Sequence, residues 1–210
     1  MNTARDLFVI TLEVPSARPI AQGDVSLALA GAELLDLRDA HAVRLDGDRV
    51  VPLGEHVHGT DALLAQASAQ LVTEPPYETV EDWLWRRGRG LAGAYADTLV
   101  TQAAVDSHGG FLPRLLRRSG LTRSQEPPSA SRPEATGRSL PDDSVLAALA
   151  STLGIGEGAP PQAVDTSATE TADDVETILA VVSDALTELE AERQRRQIEQ
   201  DAYDNVWRAT

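Results

Sequence analysis

Apolar positions recur at helical spacing through most of the chain. From Val25 to Asp39 they fill the first half of the run nearly all round, which predicts a helix buried at the centre of the fold, with Asp24 as its N-cap. Leu63, Leu64, Ala67 and Leu71 share one face behind Thr60-Asp61, where a second helix is expected to open. Thr79-Val80-Glu81-Asp82 has the Thr-x-x-acid spacing of a capping box and predicts a helix carrying Trp83 and Leu84, with Trp83 in the core. Leu91, Ala94, Tyr95, Thr98, Leu99, Gln102 and Val105 then follow helical spacing. Asp142-Asp143-Ser144 begins a short helix that stops at Gly154, and Asp173-Asp174 caps a long one with Val175, Ile178, Leu179, Val182, Leu186 and Leu189 on one face. Past Leu189 the stripe gives out. Residues 190–210 read as a polar extension, with Glu192 and Arg196 at i,i+4.

Other stretches lack that period. Ala42–Leu45 and Arg49–Leu53 alternate around Asp46-Gly47-Asp48, which predicts a β-hairpin over 42–53. Thr3 to Val14 reads two ways: Thr3 and Asp6 have capping-box spacing, whereas Phe8-Val9-Ile10-Thr11 is rich in strand formers. After the turn Ser107-His108-Gly109-Gly110, Phe111–Leu116 reads as a second hairpin arm. Residues 122–141 hold four prolines and no periodicity, so a mobile loop is expected; 156–172 are again loop-like. These elements add up to a mainly α fold, a single helical domain over 1–210 with a central buried helix and one or two β-hairpins.

Composition narrows the class. Eight aromatics among 210 residues leave the core to Leu, Val and Ala, which favours helix. The absence of Cys excludes disulfides, thiolate metal sites and cysteine nucleophiles, and fits a reducing cytoplasm. Leu7–Leu12 is too short for a signal-peptide core or a membrane span. A net charge of −15 argues against nucleic acid as a partner. All 18 basic residues are arginine, a usage that GC-rich coding accounts for.

The charge is unevenly spread. Residues 83–123 hold seven Arg and two acids and form a basic island in an acidic chain. Arg86, Arg87, Arg89, Arg114, Arg117 and Arg118 are the candidate lipid-facing residues, with Trp85 and Phe111 as interfacial anchors on an anionic membrane surface. The alternative is that these arginines pair with the surplus carboxylates. Attraction to a membrane wins only if the arginines share one face and the acids point away.

Signs of catalysis or metal binding are weak. His56-x-His58-x-x-Asp61 has metal-ligand spacing but lies between a hairpin and a helix start, where Asp61 is expected to cap, and no third or fourth ligand is nearby. Gly154-x-Gly156-x-Gly158 follows a helix with no helix opening behind it, so helix termination explains it better than a phosphate loop. No nucleophile elbow, P-loop or His-Glu-x-x-His run is present. No enzyme, metal or cofactor is expected.

The order of elements resembles the Golgi phosphoprotein 3-like family, mostly helical peripheral membrane proteins whose eukaryotic members bind phosphatidylinositol 4-phosphate. The matching residues are His58-Gly59-Thr60-Asp61-Ala62-Leu63-Leu64, then Pro75-Pro76-Tyr77-Glu78-Thr79-Val80-Glu81-Asp82-Trp83, with Leu29–Leu37 as the central helix and Ser144–Leu149 as a late Leu-rich one. The family's phosphoinositide pocket uses a Trp and three arginines, and the corresponding positions here are Ala21, Ala30, Ala92 and Ala94. The chain is thus similar to a bacterial-type member whose ligand has changed or been lost. The resemblance implies a non-enzymatic lipid-binding peripheral membrane or adaptor protein, cytoplasmic or on the inner face of the membrane. The alternative is a cytosolic interaction module that uses its C-terminal helix to hold a protein partner or a second copy.

Overall fold

A computed structural model of the chain describes residues 2–14, 16, 19–54, 61–105, 144–155 and 169–208. The elements run α1 (Thr3–Glu13), α2 (Gln22–Asp39), β1 (Val43–Asp46), β2 (Arg49–Pro52), α3 (Ala62–Ala69), α4 (Val80–Arg87), α5 (Leu91–Val105), α6 (Ser144–Thr152) and α7 (Thr169–Arg208). The expected mainly α fold is borne out, with the single hairpin as the only sheet among the described residues. The expected loop at 122–141 and second hairpin arm at 111–116 lie outside them.

Everything is arranged around α2. It is buried without a break from Val25 to Leu37 and touches α1, α3, α4, α5, α7 and β1. A helix apolar nearly all round has no solvent face to offer, so neighbours cover it on every side. Its start differs from expectation: the N-cap is Ala21, and Asp24 sits three residues in, accepting the Ala21 N–H at 3.3 Å. At its other end His41 takes φ 56°, with His41 N–H on Arg38 O and Ala42 N–H on Leu37 O, both 2.9 Å. That is a Schellman ending with a histidine in the left-handed position usually given to glycine. α6 ends in the same way at Gly154, φ 71°, as its sequence predicts.

The buried polar side chains of α2 serve the ends of other helices. Asp36 accepts the Thr3 and Ala4 N–H groups at 2.9 and 3.1 Å, and Ser26 Oγ accepts the Ala92 N–H at 3.1 Å. Two helices therefore begin on α2. Asp36 resolves the ambiguity at Thr3–Val14 in favour of helix, because it satisfies amides that the first turn leaves open; Asn2 adds a cap on the Arg5 N–H at 3.0 Å.

α4 and α7 close the core. Trp83 is fully buried, as expected, and its Nε1 donates to Ala30 O at 3.0 Å. α7 begins at Thr169, four residues before its expected cap, and packs Val175, Ile178, Val182 and Ala185 inward. Its approach to α2 depends on Gly31: a Cβ there would lie 2.5 Å from Val182 Cγ2. Gly31→Ala is therefore expected to lower stability by about 1–3 kcal/mol, with Val182→Ala recovering part of the loss. Urea denaturation of the two single variants and the double variant checks this. Simple additivity would show that Gly31 does not set the helix spacing.

The hairpin pairs Val43 with Pro52 through Asp46 with Arg49, which leaves Gly47-Asp48 as a two-residue loop. Its outer edge holds the entry to α4, with Val50 N–H on Glu78 O at 2.9 Å and Val80 N–H on Asp48 O at 2.8 Å. The Thr79–Asp82 capping box then starts α4 as predicted.

Candidate functional site

Arg86, Arg87 and Arg89 are neighbours in sequence and diverge in space, because each step along a helix turns the side chain by about 100°. Arg86 stays on the rim. Its Nη2 donates to Glu78 Oε1 at 2.7 Å, its Nη2 also reaches Gln70 O at 3.2 Å, and the guanidinium lies 5.2 Å from the centre of the Trp83 ring. Arg87 points into the core with 6% of its side chain exposed. Arg89 is exposed on the turn after α4, and Trp85 is half-buried against the core. The sequence-level candidates Arg114, Arg117, Arg118 and Phe111 lie outside the described residues.

Arg87 is held by a network assembled from four helices. Its Nε donates to Glu33 Oε2 at 2.6 Å and its Nη2 to Glu33 Oε1 at 3.0 Å. Nη2 also reaches Leu63 O at 3.0 Å, and Nη1 reaches the side-chain oxygens of Gln66 and Gln70, both at 3.2 Å. Each of the five guanidinium N–H donors thereby has an acceptor. Glu33, with no exposed surface, also accepts Tyr95 Oη at 3.1 Å. Burial pushes the Glu33 carboxyl above its ordinary value, and the Arg87 guanidinium pulls against it. Burial, then the neighbouring Glu33 charge, pushes the Tyr95 hydroxyl far up, so it stays a donor. Burial likewise raises Asp36, against the Ala4 and Thr3 amides. A bidentate, fully bonded ion pair of this kind locks helices together and offers substrate no open group.

Arg87 therefore does not face lipid, and it cannot be reversed to Glu without stripping Glu33 of its counter-charge. The pairing alternative holds for Arg86 and Arg87. It leaves Arg89 as the arginine of the three with no carboxylate partner among the described residues. A signal for Arg87 was present in the sequence: Val80, Trp83, Leu84 and Arg87 follow the i, i+3, i+4, i+7 stripe, so Arg87 occupies a core position. Glu33, a charge inside an all-round apolar run, is its complement.

The surface around α4 changes sign along its length. At its start a cleft of about 190 Å³ is lined by Asp48, Glu81, Asp184 and Glu188 from three elements. Past its far end sits Arg89, about 12 Å from Glu81 at a rise of about 1.5 Å per residue, whereas the Arg86 guanidinium reaches back to Glu78. That exceeds the screening distance of about 8 Å at physiological salt, so the two ends present separate fields.

The other candidates are placed as follows. Asp61 caps α3, accepting the Leu63 and Leu64 N–H groups at 2.8 and 3.1 Å, and also accepts Asn2 Nδ2. His56 and His58 lie outside the described residues, among which no cluster of His, Asp and Glu could hold a metal. Ala30 and Ala92 are fully buried, and Ala21 and Ala94 partly so; none of them offers a charge to a headgroup. A larger open cleft, about 600 Å³, lies between residues 19–24, the end of α6 and α7. Its polar groups are turned to protein partners: Asp24 to Arg193 at 2.7 Å, Thr152 Oγ1 to Leu149 O at 2.7 Å, Gln194 Nε2 to Glu190 Oε1 at 3.0 Å. No described helix is long and apolar enough to cross a membrane.

Neither a curated protein nor a solved structure matches the chain. The family model of Golgi phosphoprotein 3 (GPP34) does match, over residues 4–200, and with almost the whole chain covered this protein belongs to that family.

Proposed function

We propose that this protein is a non-enzymatic peripheral membrane or adaptor protein that binds anionic lipid on the cytoplasmic face of a membrane. Membership of the Golgi phosphoprotein 3 family over residues 4–200 carries the reading. The contact surface would be the far end of α4, with Arg89, the outer side of Arg86 and Trp85; Arg114, Arg117 and Arg118 of the same basic island are candidates by sequence alone. Arg87 is excluded by its burial. The acidic cleft at the start of α4 would face away, since anionic lipid repels it.

Liposome flotation tests this. Binding should need anionic lipid and fall steeply with salt, because exposed charges are screened. With alanine at all four pocket positions, phosphatidylinositol 4-phosphate should exceed generic anionic lipid by less than about tenfold, roughly 1.4 kcal/mol. Arg89→Glu should lower the floated fraction several-fold and leave the melting temperature unchanged. A protein that ignores anionic vesicles even at low salt is instead a cytosolic interaction module.

A further inference from the structure

The two edges of the hairpin are treated differently. On β2, Val50 turns its N–H away from β1 and gives it to Glu78 O at 2.9 Å, so the chain before α4 closes that edge. In an antiparallel pair, opposite residues that do not bond each other both face outward. Leu45 stands opposite Val50 and therefore turns its own N–H and C=O away from β2, where neither meets a partner among the described residues. An open edge of this kind is a template for another strand. Side chains alternate along β1: Leu45 packs on the core, while Arg44 and Asp46 stand side by side on the opposite, exposed face. Their ion pair within the strand is 3.9 Å long, with 52% and 72% of the two side chains exposed, and contributes little to one copy alone.

We infer that β1 pairs antiparallel with β1 of a second copy, about a two-fold axis at Leu45, which joins the two hairpins into one sheet. The two Leu45 residues then exchange both N–H···O=C bonds, using the groups that one copy leaves open. Arg44 of each copy lies directly opposite Asp46 of the other on the exposed face, so two cross-strand ion pairs form. Charge selects this register. Moving the axis by one residue sets Arg44 against Arg44 or Asp46 against Asp46, and like charges directly opposite repel. A two-fold contact requires one patch to complement itself, and an outward-facing amide flanked by one cation and one carboxylate meets that requirement. Gly47, at φ 62°, turns the chain into the loop, so the ladder is short. The contact stays well below the ~800 Å² per partner of a standard interface, and the dimer is weak and concentration-dependent. None of this depends on the lipid reading, and vesicle binding does not bear on it.

Sedimentation velocity of the full chain from about 5 to 300 μM should show monomer passing to dimer. Arg44→Asp and Asp46→Arg should each remove the dimer, because each sets like charges across the axis. Both positions are exposed, so the melting temperatures should stay nearly unchanged. An equimolar mixture of the two variants should dimerise again, since every cross-strand pair in the mixed dimer is of opposite sign. On the unaltered chain, exchange of the Leu45 amide proton should slow several-fold between the dilute and the concentrated sample, a readout that does not rely on either variant folding. Monomer throughout the range, dimer retained by a single variant, no dimer in the mixture of two folded variants, or unchanged Leu45 exchange would each overturn the inference.

Discussion

Replacing Arg87 by Met is expected to lower folding stability by about 3–5 kcal/mol, because it leaves the Glu33 carboxylate buried without its counter-charge. The loss should depend on pH in a sense opposite to ordinary acid denaturation. Burial already holds the Glu33 carboxyl above its usual 4.5, and removing the guanidinium raises it further. A carboxyl raised in the folded state stabilises fully below its unfolded value, and that contribution is lost as pH climbs through the folded one. The deficit of Arg87→Met should therefore be larger at about pH 8 than at about pH 5. Adding Glu33→Leu should recover most of the loss, since two apolar side chains can replace a buried pair at little net change. Urea denaturation of the single and double variants at both pH values checks this. If Arg87→Met stays within about 1 kcal/mol of the parent, the pair does not hold the helices together.

Trp83→Ala should be comparably severe, at about 3–5 kcal/mol. The side chain has no exposed surface and fills the space between α4 and α2, so truncation leaves a cavity in a core with little aromatic volume to collapse into it. It also strips the Ala30 carbonyl of the indole donor and the Arg86 guanidinium of the ring below it. Trp83→Phe keeps most of the volume and should cost about 1–2 kcal/mol, in keeping with one lost buried hydrogen bond and a modest void. Against a typical total of 5–15 kcal/mol, the alanine variant should melt many degrees lower and the phenylalanine variant only a few. Equal melting temperatures for all three proteins would place Trp83 outside the core.

The two variants differ in how visible their sites were. Trp83 stands four residues after the start of a capping box, on an apolar stripe, and both signals are local. Arg87 continues the same stripe by seven residues from Val80, yet its charge made it one of three adjacent basic residues counted toward a surface. Its partner Glu33 is 54 positions away. Net charge over a segment sums cations without showing which are already matched inside the fold. Once Arg86 is set against Glu78 and Arg87 against Glu33, the field at this end of α4 is much smaller than the segment total implies.

The sequence alone determined the elements whose cause is local. α2 follows from an all-round apolar run, α3 and α4 from Asp61 and the Thr79–Asp82 box, the hairpin from Asp-Gly between alternating residues, and the end of α6 from Gly154. Each rests on backbone hydrogen bonds within a few residues, or on a period that one helix or strand imposes by itself. Tertiary structure decided the rest. It made Thr3–Glu13 a helix, by bringing Asp36 from α2 to amides 32 and 33 residues away. It moved Asp24 off the N-cap into an ion pair with Arg193, 169 residues on. It turned Gly31 into the point where α7 crosses α2, and Arg87 from a surface charge into a core bond. In every such case the deciding partner is distant in sequence, and a buried polar group must be satisfied by whatever the fold brings within hydrogen-bonding reach.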